Sequence, residues 1–304
     1  MLDGGARLWV KRDDLTGSAL SGNKVRKLEF LLADAEAQGA DTLITCGGLQ
    51  SNHCRATALV GAQLGLHVHL LLRGREPESS EGNYLLDQLA GASISCYGPK
   101  QYFGELDALF EQWQAHYASE GGKALAIPTG GSDGIGVWGY IAACEELLQD
   151  FTGADIGEAH LVCASGSGGT QAGLTAGAEL TGLPATVWAV NVCDDEQYFL
   201  DKVAADAADW RRRYPGVPAV EVQPGVIDGY VGQGYGIADQ SVFNLIGELA
   251  ALEGLVLDPV YTGKTMAGMI DLVRKGYFDK DEKVLFVHTG GSPALYVYRE
   301  EILG

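Results

Sequence analysis

Lys24 is the residue of this chain whose neighbours best prepare it for chemistry. It lies in Ser21-Gly22-Asn23-Lys24-Val25-Arg26-Lys27-Leu28-Glu29, after an apolar run, Leu8-Trp9-Val10, and a charged turn, Lys11-Arg12-Asp13-Asp14. A Ser-Gly-Asn loop delivers the lysine to a helical pattern with apolar positions Leu28, Leu31, Leu32 and Ala35. Such a lysine is either a solvated cation in a basic first turn or a Schiff-base amine kept reactive at neutral pH by nearby charge. The local sequence fits both.

Further polar loops follow apolar runs. Leu161-Val162-Cys163-Ala164 leads into Ser165-Gly166-Ser167-Gly168-Gly169-Thr170 and then a helical stretch. A strand, a glycine turn and a helix N-terminus make an anion cradle from backbone N–H groups and the helix dipole. The dinucleotide fingerprint fits poorly, because Gln171 stands where its third glycine belongs. A Walker loop fails as well, since Asp258 occupies the first glycine position ahead of Gly263-Lys264-Thr265. One phosphate monoester is the better ligand, and a tight turn without a ligand is the plain alternative. Gln50-Ser51-Asn52-His53 suits a carboxylate or phenolic oxygen, or is a capping serine with a polar first turn. His53 alone reads equally as a structural histidine. Tyr261 could stack on a planar ligand or act as an acid or base, or be a half-buried core tyrosine. Thr289-Gly290-Gly291 is a close-approach loop or a simple turn. All these loops fall just past the C-terminal ends of expected parallel strands, where open α/β sheets bind ligands. A phosphate cradle, a loop lysine, neutral polar groups and a tyrosine together describe a site for a phosphorylated aromatic aldehyde, and pyridoxal 5'-phosphate (PLP) fits. No metal is expected.

The elements that must position these groups alternate between strand-like and helix-like runs, which predicts parallel sheets with crossover helices. Strands are expected at Thr42 to Cys46, Val68 to Leu72, Ser93 to Cys96, Leu125 to Pro128, Leu161 to Ala164, Val187 to Val192 and Val284 to Val287. Helices are expected at Arg55 to Leu64, Asn83 to Leu89, Leu106 to Tyr117 and Gly139 to Leu148. Phe151 to Glu158 reads as a linker, and Asp206 to Gly236 as a polar, irregular excursion near the site. The fold class is α/β, in two domains: residues 30–140 the smaller, residues 1–29 with 141–304 the larger and PLP-binding one.

The 304 residues, 46% of them hydrophobic, are ample for packed cores, and the 43 glycines cluster at strand ends. A formal charge of -19 argues against nucleic acid and anionic membranes as partners. Six scattered cysteines without a C-x-x-C pair read as free thiols in a reducing compartment, the cytoplasm. No run reaches membrane-spanning length, and Met1 to Gly5 lead directly into the first strand, so no signal peptide is expected.

The chain resembles the PLP enzymes of the tryptophan-synthase-β-like fold (fold type II), specifically the D-cysteine desulfhydrase / 1-aminocyclopropane-1-carboxylate deaminase group. Lys11 to Asp14, Gly22 to Glu29, Gln50 to His53, Gly166 to Thr170, Asp258 to Lys264 and His288 to Gly291 carry the likeness. Family members have a leading segment before the Trp9-Val10-Lys11-Arg12 strand that is almost absent here. The resemblance implies that Lys24 is the Schiff-base lysine and that Asn52 bonds the cofactor's phenolic oxygen. It implies that Gly166, Ser167, Gly168, Gly169 and Thr170 hold the phosphate. Gln50, Ser51 and His53 would bind or polarise a small amino-acid substrate, with Tyr261 facing the ring and Tyr235 approaching the substrate. Lys24, Ser51, Tyr261 and Tyr235 would be catalytic. Two further cofactor contacts separate the sub-families: the deaminases have a glutamate where this chain has Thr262 and a leucine where it has Thr289. Both threonines match the desulfhydrase side. The expected activity is β-elimination of D-cysteine to pyruvate, ammonia and hydrogen sulfide, by a homodimer. The alternatives are deamination of the cyclopropane acid, elimination from L-cysteate or 3-chloroalanine, and a phosphoryl-ligand-binding protein without turnover.

Overall fold

The computed structural model describes residues 7–279 and 281–303; Met1 to Gly5, read as leading into the first strand, lie outside them. Two sheets organise the chain. One has five strands in the order β1 (Arg7–Lys11), β9 (Lys283–Val287), β6 (Ala159–Ser165), β7 (Ala185–Asn191), β8 (Gly225–Ile227). The other has four, in the order β4 (Ser93–Tyr97), β3 (His67–Arg73), β2 (Thr42–Gly48), β5 (Ala124–Ala126). Every pairing within both sheets is parallel. Parallel strands need covered crossovers, which is why the central runs of β2 and β6 are apolar without alternation.

Side-chain alternation sends each strand's residues to two helical layers. Leu43, Leu70 and Leu72 meet Leu28, Leu31 and Ala35 of α1 (Asn23–Ala37) and Ala56 of α2 (Asn52–Leu64). The α1 residues are those whose spacing predicted the helix. Ile44, Cys46 and Leu71 face the opposite way, onto Tyr102 and Leu109 of α4 (Pro99–Ser119), which follows α3 (Gly82–Leu89). In the larger sheet Leu161, Cys163, Ala189 and Leu285 pack on α5 (Trp138–Gly153) and α6 (Gly169–Thr181). Val162, Val190 and Phe286 pack on α8 (Gln240–Glu253) and α9 (Thr262–Arg274).

Two stretches differ from the sequence expectation. Residues 206–213, read as irregular, are the last turns of α7 (Glu196–Arg213), and β8 adds an edge strand to the same stretch. The polar look of α7 hides a buried stripe at Phe199, Val203, Ala207 and Trp210, with Asp206 on the same face neutralised by Lys202. Phe151 to Glu158 is a linker only in part: α5 runs on through Gly153 before β6 begins, and Phe151 and Ile156 anchor the stretch in the core while its other residues are exposed. Among the described residues no helix is long and apolar enough to cross a membrane.

Candidate active site

The C-terminal ends of β2, β6, β7 and β9 face one cavity of about 580 Å³. Its walls include Lys24, Ser51, Asn52, His53, Gly166, Ser167, Gly168, Thr170, Tyr235, Tyr261 and Thr289. Gln50, Gly169 and Thr262, expected with them, do not line it.

The Lys24 loop is gripped from several sides. The Asn23 N–H donates to the carbonyl of Thr289 (3.2 Å), and a Cβ at Gly22 would stand 2.3 Å from that same oxygen. Gly22 has φ +102°, so both the space and the backbone require glycine. Buried Asp13, of the charged turn, holds the Arg26 guanidinium (2.9 Å) and accepts from the Tyr140 hydroxyl (2.6 Å), fixing the first turn of α1 against α5. Lys24 opens onto the cavity, yet enclosure by protein and the charge of Arg55 bring its pKa down to about 8. The neutral amine is the nucleophile, so its fraction rises as pH rises through 8 rather than through the ordinary 10.5. Imine formation by apoenzyme with added PLP, followed as the growth of visible absorbance, is therefore expected to accelerate with pH and level off above about 8. An inflection near 10 would contradict this placement of Lys24.

At the start of α2, the Ser51 hydroxyl accepts the Cys54 N–H (3.2 Å), a cap that leaves its own proton available. The Asn52 carbonyl oxygen accepts from Asn83 Nδ2 (2.9 Å), which leaves the Asn52 amide N–H groups for a ligand oxygen. Asn83 is wholly buried; its Nδ2 also donates to the Gln50 carbonyl (2.9 Å), and its oxygen accepts from Arg55 (3.2 Å). Arg55 further donates to the carbonyls of Leu20 (3.3 Å) and Ser21 (2.8 Å). Gln50 departs from its expected substrate role. Its amide turns back onto α3, accepting from Asn83 N (2.8 Å) and donating to the Glu81 carbonyl (3.1 Å), because the entry to that helix needs a partner. His53 is neutral: burial first, then Lys24 and Lys27, push its pKa well below the usual histidine value. Thr45 spends its hydroxyl proton on the Ile127 carbonyl (2.9 Å), so His53 Nε2 is the donor in their 2.8 Å contact. His53 Nδ1 is then a buried acceptor with no protein partner. The imidazole brings no positive charge to a substrate carboxylate.

The glycine loop has partners that sequence reasoning missed. The Ser167 hydroxyl lies 2.9 Å from that of Ser132, and Gly169 N–H donates to Ser132 Oγ (3.3 Å). Asn23 Nδ2 donates to Thr170 Oγ1 (3.0 Å), joining the loop to the residue beside Lys24. Lys27 Nζ, fully buried, donates to Ser132 Oγ (3.1 Å) and the Gly130 carbonyl (3.2 Å), with no carboxylate in ion-pairing distance among the described residues. Burial, then the charge of Lys24, push its pKa well below the usual lysine value. A Cβ at Gly169 would stand 2.6 Å from Ser132 Oγ and 2.9 Å from Lys27 Nζ, so this position is glycine to leave the cradle its shape. Gly169 thus backs the cradle from behind its wall. A buried amine without an anion, two hydroxyls and a helix N-terminus are the donor set a phosphate needs.

On the opposite wall the hydroxyls of Tyr235 and Tyr261 are 2.6 Å apart. Burial keeps both phenols protonated, pushing Tyr235 up to about 12 and Tyr261 well above its ordinary value. One hydroxyl serves the other, and one proton is left to donate. Tyr261 also lies against the loop, 2.9 Å from where a Gly166 Cβ would be. Thr262 sits behind it, completely buried, and donates its hydroxyl proton to Asp258 Oδ1 (2.7 Å). Asp258 closes the turn that enters α9, accepting also from the N–H groups of Val260, Tyr261 and Thr262 (2.9 Å each). That turn draws Thr262 out of the cavity wall where the resemblance placed it.

This arrangement agrees with the comparisons. A family model described as "Pyridoxal-phosphate dependent enzyme" matches residues 3–290. The chain belongs to the PLP-dependent enzymes. Its two parallel sheets are those of fold type II, and the chain is a PLP-dependent lyase. It is 40% identical over 304 residues to the mitochondrial bifunctional D-cysteine desulfhydrase/1-aminocyclopropane-1-carboxylate deaminase of Arabidopsis thaliana, covering 97% of this chain and 75% of that one. It is 40% identical over 308 residues to the D-cysteine desulfhydrase of Klebsiella pneumoniae (strain 342), covering 98% and 90%. The crystal structure of an ACC deaminase homologue superposes with a TM-score of 0.89 at 39% identity, over 98% of this chain and 89% of that one. The residues present fit PLP: an unpaired buried lysine bonded to the back of an anion cradle at Ser132, a second lysine of depressed pKa in the cavity wall, and an oriented amide in the same wall.

Proposed function

We propose that this lyase eliminates the β-substituent of D-cysteine, releasing pyruvate, ammonia and hydrogen sulfide. PLP, when bound, supplies an electron sink for negative charge at the substrate's α-carbon. Lys27, Ser132, Ser167 and the N–H groups of the glycine loop would hold its phosphate, Lys24 its aldehyde carbon and Asn52 its phenolic oxygen. The N-terminus of α2, with the free hydroxyl proton of Ser51, would take the substrate carboxylate. Lys24, whose amine is about half neutral near pH 8, would accept the α-proton. The hydrogen-bonded phenols of Tyr235 and Tyr261 would supply the proton that the departing sulfur needs. The same reading takes residues 30–140 as the smaller of two domains, and the protein as a cytoplasmic homodimer.

The observation that carries the substrate choice is the absence of a carboxylate at position 262. Thr262 is neutral and its hydroxyl is held by Asp258, while Thr289 stands in the cavity wall. Without a glutamate there, and with the Asp258 carboxylate taken up by the backbone N–H groups of residues 260–262, protonation of the pyridine nitrogen is not favoured and the sink is weaker. D-Cysteine needs only α-proton loss and departure of a stabilised thiolate. The cyclopropane acid has no α-proton and must break a carbon–carbon bond. A second reading, deamination of that acid, is favoured by the name of the bifunctional Arabidopsis relative. Assays of sulfide from both cysteine enantiomers and of 2-oxobutanoate from the cyclopropane acid decide between them. We expect kcat/KM for D-cysteine to exceed that for the cyclopropane acid by about 100-fold or more. Thr262→Glu combined with Thr289→Leu is expected to narrow the gap. Comparable efficiency on both substrates in the unmodified enzyme would refute the assignment.

A further inference from the structure

Lys264 belongs to the Gly263-Lys264-Thr265 run, which fits no phosphate loop and does not line the cavity. Its side chain is nevertheless buried, on the first turn of α9. Its Nζ donates to the carbonyls of Val231 (2.6 Å) and Gly234 (2.8 Å), with no carboxylate in ion-pairing distance among the described residues. Burying an amine without an anion costs free energy, so these two acceptors call for a reason.

Both carbonyls belong to the segment between β8 and α8. Four of its residues are glycines of positive φ: Gly229 (+96°), Gly232 (+67°), Gly234 (+143°) and Gly236 (+78°). Glycine gives such a segment little conformational preference of its own, so its shape depends on what holds it. One face of α9 supplies the hold, at Lys264, Gly268 and Asp271, an i, i+4, i+7 spacing. The Tyr230 ring packs over Gly268, where a Cβ would stand 2.9 Å from it, and the Tyr230 hydroxyl donates to Asp271 (2.6 Å). Those contacts fix the start of the segment. Lys264 reaches further along, since the Gly234 carbonyl is part of the peptide that carries the Tyr235 N–H. On the other side of Tyr235, the Tyr298 hydroxyl donates to the Gly236 carbonyl (2.9 Å). Tyr261 precedes Lys264 by three positions, at the entry to the same helix. One helical turn therefore carries one phenol and the amine that holds the other, and the two hydroxyls meet at 2.6 Å.

We propose that Lys264 is a positioning residue for the elimination step: by holding the Val231 and Gly234 carbonyls it sets the Tyr235 phenol against that of Tyr261, where the pair donates to the departing sulfur. The proposal rests on the lyase reading above and extends the role given there to the phenols. Lys264 acts through Tyr235, so its removal costs most where the leaving group needs a donor. Hydrosulfide is the anion of a weak acid and is helped by one. Chloride, the anion of a strong acid, leaves unaided.

The test is a double-mutant cycle of Lys264→Met and Tyr235→Phe in the PLP-loaded enzyme, with an exchange measurement on the apoprotein. The cycle reads the ratio of kcat/KM for D-cysteine to that for 3-chloro-D-alanine. Lys264→Met is expected to lower this ratio about thirtyfold, but less than about threefold when residue 235 is already phenylalanine. Amide hydrogen exchange of the peptide covering residues 228–237 should be about tenfold faster in Lys264→Met, with β6 and α6 unchanged. Lys264→Gln, which returns two N–H donors on a shorter stem, should fall between, and it carries the same cycle if Lys264→Met does not fold. The proposal fails if the ratio stays within about threefold of wild type, or if Lys264→Met costs the same in both backgrounds, as general loosening would. It fails too if exchange of the segment is unchanged, or if Tyr235→Phe leaves the ratio at its wild-type value. A wild type that forms no visible band with PLP would instead strike the lyase reading, and the exchange measurement would still decide whether Lys264 holds the segment.

Discussion

Lys24→Ala is expected to remove the lysine–cofactor adduct entirely and to lower turnover by about 10³-fold or more. The loss is large because one amine is asked both to hold the cofactor aldehyde and to move the α-proton. The fold should survive. Alanine is the best helix former, and the contacts that fix the loop come from Gly22, Asn23 and Arg26 rather than from the Lys24 side chain. Removing an amine whose charged form is disfavoured by burial also takes away a desolvation cost, so the melting temperature of the apoprotein should not fall. Borohydride treatment of wild type followed by peptide mass analysis should place the adduct on residue 24. A variant that still shows a borohydride-reducible lysine adduct at full occupancy would end the assignment.

Lys27→Met is expected to weaken PLP about 100-fold, the loss of a charge-assisted hydrogen bond to phosphate, while sparing imine chemistry at Lys24. The sign of the proton linkage gives a second readout. Without an anion beside it, Lys27 has a pKa well below the usual lysine value, set first by burial and then by Lys24. An arriving phosphate raises that pKa, so the amine gains a proton on binding. Calorimetry in buffers of different ionisation enthalpy, from neutral to alkaline pH, should show this proton uptake in wild type and lose it in Lys27→Met. The apoprotein should be no less stable, since methionine fills the space without an unpaired amine. Equal PLP affinity in the variant would place the phosphate elsewhere.

The contrast between these lysines shows what the sequence made legible. Lys24 stood out because glycine and asparagine precede it, and a loop that needs glycine advertises close contact. Lys27 follows in a basic run and reads as a surface charge. Only its contact with Ser132, far away in the chain, shows it to be interior. The glycine loop was readable from local spacing, whereas its hydroxyl partner at Ser132 was not. Gln50 was grouped with its neighbours at the strand end, which do face the cavity. Its own amide is claimed by the entry to α3, where Gly82 has φ +58° and a Cβ would stand 2.4 Å from Gln50 Oε1. Thr262 was placed by resemblance, but the spacing Asp258-Pro259-Val260-Tyr261-Thr262 already held the aspartate turn that occupies its hydroxyl. Parallel sheets were readable because buried strands are written as apolar runs. The charged face of α7 concealed its period.

Arg55 holds the carbonyls of Leu20 and Ser21 from within α2, and α1 packs into the same core as α2. Loop, both helices and the four-stranded sheet are thereby tied together, while Arg26 ties the first turn of α1 to Glu146 of α5. If the two sheets rock against each other, Lys24 and Asn52 keep their separation, and the pivot lies at the first turn of α1, where Asn23 meets Thr170 and Thr289 and Arg26 meets Asp13 and Glu146. The gap that widens is the distant one, between Arg73 and Phe103 on one rim and Tyr235 and Tyr198 on the other. Such a jaw would admit an amino acid from the aromatic side without disturbing the grip on the aldehyde.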